Sequence, residues 1–109
     1  MTDVLSATEY LLMSAITLND NRAYGKQIFE TAEELGKPVK VSVAYGSLYP
    51  TLERLHEEKL IKSEMSEPLN QRGGKARRFY SVTGAGQRAM LQFEAVAIRI
   101  RARLAEARA

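Results

Sequence analysis

Residues 71–82 contain Arg72, Lys75, Arg77 and Arg78 and no acidic residue. Guanidinium and ammonium groups gathered without a carboxylate to neutralise them make charge-assisted hydrogen bonds to anions. Glu64 and Glu67 stand just upstream, so the basic character is local. The chain as a whole carries a formal charge of +3 and a pI near 9.3, a smaller argument in the same direction. A basic run by itself is most simply a solvated loop. A second feature nearby changes that weighting.

Ala44, Ser47, Thr51 and Arg54 fall at i, i+3, i+7 and i+10, which places them along one side of a helix. An ordinary surface helix would carry Lys and Glu there for solvation. Short side chains with a few donors suit a helix that must lie in the groove of a nucleic acid. The plain alternative is a helix packed under a hairpin, and groove reading is favoured over it. Catalytic groups are missing from the sequence. There is no cysteine, and His56 is the only histidine, set among charged residues as a surface residue would be. Gly73-Gly74 lies between two strand-like segments and not between a strand and a helix, so it is no phosphate-cradling loop. No catalysis, cofactor or metal is expected.

These residues need elements to hold them, and 109 residues with 45% hydrophobic content suffice for one compact unit. Ser6 and Glu9 form a capping box opening a first helix that runs to about Leu18, with Leu11, Leu12, Ala15, Ile16 and Leu18 as a broad buried stripe. Asn19-Asp-Asn21 ends it as a turn. Tyr24, Ile28, Ala32 and Leu35 mark a second helix stopping at Gly36 and Pro38. Ser42 is read as the N-cap of a third helix buried along Leu48, Leu52 and Leu55, with Lys37 and Lys40 on its approach. Pro50 predicts either a kink or a short irregular opening turn. Residues 60–65 and 77–82 have strand character, with a long connection between them that bears the basic cluster. Tyr45, Tyr49, Phe79 and Tyr80 are assigned mainly to packing, with one tyrosine hydroxyl left for a phosphate. Three helices followed by a basic hairpin predict an α+β, mainly α fold, a winged helix-turn-helix.

The residues that carry these roles also resemble a known family. Tyr24-Gly25, Gly46-Ser-Leu-Tyr-Pro-Thr-Leu-Glu-Arg-Leu55, Lys59-Leu-Ile61, Arg72-Gly-Gly74 and Arg78-Phe-Tyr80, followed by Val82-Thr-Gly-Ala-Gly86, are similar to the PadR-like transcriptional regulators over residues 6–104. The resemblance implies a homodimeric winged helix that binds double-stranded DNA, commonly as a repressor, dimerised largely through its last helix. It also implies the short subgroup with a single C-terminal helix, in which a small-molecule effector would sit at the dimer interface.

The last helix can be read independently. Thr83 is a fair N-cap, and Met90, Phe93, Ala97, Ile100, Leu104 and Ala107 are spaced as a two-position heptad seam. Its first part can pack on the chain's own core. At ~36 Å the helix outruns so small a unit, and Arg99, Arg101, Arg103 and Arg108 surround an apolar stripe that wants a second chain. The expected organisation is a DNA-binding unit over residues 1–83 and a dimerisation helix over 84–109. The expected contacts to DNA are Lys37, Lys40, Ser42, Ala44, Tyr45, Ser47, Tyr49, Thr51 and Arg54 from the third helix and its approach. Arg72, Gly73, Gly74, Lys75, Arg77 and Arg78 supply the wing, and Met90, Phe93, Ala97, Ile100 and Leu104 the dimer interface. A winged module that uses the seam for a heterologous helix remains the alternative. No segment is long and apolar enough to span a membrane, no basic-flanked signal is present, and a cytoplasmic location is expected.

Overall fold

The computed structural model describes residues 3–66 and 76–109. Helix α1 spans Ala7–Leu18 and is opened by the expected box: the Ser6 N–H donates to Glu9 Oε1 at 2.8 Å and the Glu9 N–H to Ser6 Oγ at 3.1 Å. A turn with Asp20 and Asn21 both in the left-handed region, φ 59° and 54°, leads into strand β1, Ala23–Tyr24. Asp and Asn are the non-glycine residues that tolerate that conformation best. The Asn21 amide then pairs with the Val82 backbone, donating to its carbonyl at 3.2 Å and accepting its N–H at 2.7 Å, and so fastens this turn to the far end of the sheet.

Helix α2 is Gly25–Gly36, followed by a single 3-10 turn at Lys37–Val39. A second 3-10 turn, Tyr45–Ser47, runs into α3 at Leu48–Glu57. Strands β2, Ile61–Met65, and β3, Arg78–Val82, pair antiparallel with Ile61 opposite Val82 and Met65 opposite Arg78. Strand β1 adds to the other edge of β3, with Ala23 opposite Tyr80, giving the order β1-β3-β2. Helix α4, Gly84–Arg108, closes the chain.

One core joins all the elements except the distal part of α4. Leu12, Met13 and Ile16 of α1, Ile28 of α2, Leu48, Leu52 and Leu55 of α3 and Ile61 of β2 are fully enclosed. Burying a side chain of this size stabilises by about 1.5–3 kcal/mol. Thr83 caps α4, accepting the Gly86 N–H at 3.0 Å while its hydroxyl donates to the Lys59 carbonyl at 2.8 Å. Gly86 has to be glycine, because a Cβ there would drive into the Leu60 carbonyl oxygen. This close approach seats the start of α4 against the α3–β2 turn.

Several expectations need correction. Strand β1 is absent from the sequence reading, which gave Tyr24 to the second helix. Two residues have no alternation to detect, and only pairing with β3 defines them. Ser42 does not cap α3: it is exposed, and the helix starts at Leu48 after the 3-10 turn. Leu18 and Leu35, placed in buried stripes, are 63% and 42% exposed because each stands in the last turn of its helix. The irregular opening expected of Pro50 is present, and α3 is not kinked open within its body. Pro50 lies in the first turn, where a missing N–H costs nothing.

Candidate nucleic-acid interface

The start of α3 stands clear of the core. Ala44, Tyr45, Gly46, Ser47, Tyr49 and Pro50 are exposed, while Leu48, Thr51, Leu52 and Leu55 turn inward. The expected line is therefore split. Ala44 and Ser47 face solvent, but Thr51 is buried at 6% exposure, because three residues after Leu48 it returns to the packed side. Arg54 is half-exposed and does not point away freely. Its Nε donates to Glu9 Oε2 at 3.3 Å, tying α3 to the cap of α1. Burial alone would raise the Glu9 carboxyl. The Ser6 backbone and hydroxyl donors, then Arg54, outweigh that and hold it below the usual carboxylate range.

Tyr45 and Tyr49, assigned to packing, are half or more exposed, at 60% and 49%. Their inner edges are nonetheless fixed. Tyr45 meets Phe29 of α2 edge-on at 5.1 Å and Tyr49 at 6.5 Å. The Tyr49 ring lies over Gly25, where any side chain would collide with it. A glycine at the start of α2 thus lets the tyrosine of α3 pack directly on its backbone. Two phenol rings are thereby held half-exposed on the same side of the molecule as Ser47, with the hydroxyl end of Tyr49 against Gly25. Phenol and hydroxyl groups can hydrogen-bond phosphate or base edges. The helix end itself is a poor anion site. The Ser47 and Leu48 N–H groups already bond the Ala44 and Tyr45 carbonyls, and Pro50 has no N–H.

The second half of α3 carries Glu53 and Glu57, and Glu58 follows as its C-cap, all exposed. Carboxylates repel a phosphate backbone, so only the amino-terminal end of α3 is chemically suited to a polyanion.

Beside it rises the sheet. Arg72, Gly73, Gly74 and Lys75 lie outside the described residues. Arg77 and Arg78 are exposed, at the end of the hairpin away from α4. Arg78 Nη1 donates to Ser63 Oγ at 3.0 Å, and the Arg77 guanidinium lies 4.4 Å from the Tyr24 ring centroid. Aromatic and hydroxyl supports of this kind order a guanidinium without neutralising it. Between α3 and the sheet runs an open cleft of about 320 Å³ lined by Tyr49, Glu53, His56, Ser63, Arg78 and Tyr80. Tyr80, expected in the core, is buried there, and burial raises its hydroxyl above the ordinary value.

Arg22 escaped the sequence reading. Its guanidinium sits 3.7 Å over the Phe79 ring and 3.5 Å from Glu64, on the outer face of the three-stranded sheet. Its place immediately before the Ala23-Tyr24-Gly25 run was the available signal. Lys37 and Lys40 are exposed on the turn between α2 and α3, with Lys40 in the left-handed region at φ 59°.

The seam of α4 also divides. Met90 is buried in the chain's own core, and Phe93 stacks on Tyr10 at 4.3 Å between centroids. Met90 therefore has no face left for a second chain, whereas Phe93 is partly exposed beside its stack. Ala97, Ile100 and Leu104 remain exposed, and Val96, Ile100 and Leu104 with the stems of Arg99 and Arg103 form a shallow apolar groove. Among the described residues no helix is long and apolar enough to cross a membrane, and no group of three His, Asp or Glu could hold a metal ion.

Three helices, with the third presented at the surface beside an antiparallel sheet, define the winged-helix class of DNA-binding protein. The sequence model of the transcriptional regulator PadR-like family matches residues 14–92, and the chain belongs to that family. Its members are transcriptional regulators and not enzymes. Among solved structures, a PadR family transcription regulator from Clostridium difficile R20291 superposes with a TM-score of 0.75 at 23% identity, over 95% of this chain and 100% of that one. A PadR-like transcription factor from Bacteroides fragilis gives 0.68 at 27% identity, over 91% and 87%. Bacillus subtilis PadR, solved in complex with operator DNA, gives 0.64 at 21% identity, over 81% of this chain and 46% of that one. Among curated proteins, none matches the chain in sequence.

Proposed function

We propose that the protein is a cytoplasmic repressor that binds an inverted-repeat operator as a homodimer. The observation that carries the reading is the exposed opening of α3, where Tyr45, Ser47 and Tyr49 face outward and Tyr49 shares a cleft with Arg78 of β3. In this arrangement Ala44, Ser47 and the two tyrosines approach base edges and phosphates at the floor of the major groove. Arg77 and Arg78, with Arg72, Gly73, Gly74 and Lys75 of the intervening segment, follow the backbone as a wing. Lys37 and Lys40 reach flanking phosphates from the approach to α3. Residues 1–83 act as the DNA-binding unit and residues 84–109 as the dimerisation helix, through Ala97, Ile100 and Leu104. A small-molecule effector would sit between the paired α4 helices. DNA bound by the Bacillus subtilis relative supports the partner class.

Selection of duplexes from a random pool by the purified chain tests the reading. The enriched sequence should be an inverted repeat with half-sites about 34–36 Å apart, or a multiple of that. Log affinity should fall linearly with log salt. No enrichment, or binding indifferent to salt, would overturn it in favour of a module whose exposed seam takes a heterologous helix.

A further inference from the structure

The last place at which α4 touches the rest of the chain is a single side-chain cluster. The Tyr10 ring of α1 stacks on Phe93, 4.3 Å between centroids and 16° from parallel. Its hydroxyl donates to Glu94 Oε2 at 2.9 Å. Ser14 in turn donates to the Tyr10 carbonyl at 2.7 Å. Burial, then the Glu94 carboxylate, push the Tyr10 hydroxyl above its ordinary value, so it keeps the proton that makes the bond. Every residue after Glu94 is exposed.

From this geometry we infer that Tyr10 is a positioning residue for DNA recognition: its stack on Phe93 and its bond to Glu94 fix the direction of α4, and with it the spacing of the two reading heads. The inference rests on the homodimer reading above. The start of α4 is pinned by Thr83 and by the contact of Gly86 with Leu60. Met90 is seated in the core one turn further on, and Tyr10 supplies the outermost point of attachment, the one with the longest lever on the direction of the helix. Beyond it the helix projects for ~21 Å, so a swing of about 10° carries its tip ~4 Å, comparable to the ~3.4 Å step between base pairs. Two-fold symmetry applies the same swing to both heads. Packing alone would be served by phenylalanine at position 10. The hydroxyl adds a directional restraint that a sliding stack lacks.

The test uses the full chain and the operator obtained by duplex selection, remade with the gap between half-sites lengthened or shortened by one or two base pairs. Tyr10→Phe and Glu94→Ala should keep the fold, the dimer by sedimentation and the half-site sequence preference. Their discrimination against wrongly spaced operators should drop about three- to tenfold. Glu94→Gln, whose amide oxygen still accepts the hydroxyl proton, should discriminate as the parent does. The inference is overturned if Tyr10→Phe and Glu94→Ala reject wrong spacings as sharply as the parent, or if they weaken binding to all spacings alike. A parent chain with no spacing preference at all would instead sink the homodimer reading, and this inference with it.

Discussion

Helices α3 and α4 carry apolar lines of nearly the same period and meet opposite fates. Along α3, Leu48, Leu52 and Leu55 are each fully enclosed. Along α4, Met90 is 7% exposed, but Ile100 is 52% and Leu104 39% exposed. A period of three and four residues states that a face must be covered; it does not state by what. For α3 the cover is α1, α2 and β2. For α4 the cover within the chain ends at Tyr10, and the rest of the line stands open.

The same substitution in the two lines separates them most sharply. Leu52→Asp puts a carboxylate where no water and no cation can reach it, at a cost comparable to the whole stability of a domain, about 5–15 kcal/mol. The variant should fail to fold, read as loss of the cooperative thermal transition in circular dichroism. A folded Leu52→Asp protein would mean that α3 is not packed through its leucines.

Ile100→Asp should have the next largest effect, of a different kind. The side chain is already half in water, so the monomer keeps its secondary structure. If Ile100 sits in a dimer seam, an unpaired charge there should cost several kcal/mol of association. The expected results are sedimentation as a monomer and operator affinity down by at least about 100-fold. A folded dimer with parental operator affinity would place the interface elsewhere.

The same contrast explains what was legible beforehand. The capping box, the Thr83 cap, the leucines of α3 and the register-bearing strands were readable because each is a local pattern with one structural solution. The split of the α3 face was not. Ala44, Ser47 and Thr51 share a helical line only if the helix begins early enough. The 3-10 turn Tyr45–Ser47 shifts the phase, and Thr51 turns into the core. Tyr45 and Tyr49 were given mainly to packing while also standing among the expected DNA contacts, because a phenol ring suits either place. Their exposure depends on Phe29 and Gly25, contacts from a different helix. Met90 and Phe93 were counted in one seam with Ile100 because the period does not say where the molecule ends beneath a helix. Arg22 was missed for a related reason: its partners Phe79 and Glu64 lie more than forty residues away.

Arg54 offers the smallest test, at the point where the exposed side of α3 is tied back to α1. Placed on the reading face by its spacing, it is instead bonded to Glu9 beside the α1 cap. If it is an anchor, Arg54→Ala should lower stability modestly, by about 1 kcal/mol or less, because its side chain is half-exposed and solvent screens the pair. The operator sequence preference should be unchanged. The effect should also depend on pH. The Glu9 carboxyl is held below its ordinary value in the folded chain, so its contribution is full above the unfolded carboxylate pKa and is lost as pH falls through the lower folded one. Parent and Arg54→Ala should therefore differ in thermal stability at neutral pH and converge in acid. A stability difference that persisted unchanged into acid would show that Arg54 acts by something other than its bond to Glu9. An Arg54→Ala protein that folds as the parent does but selects a different operator sequence would return Arg54 to the reading face.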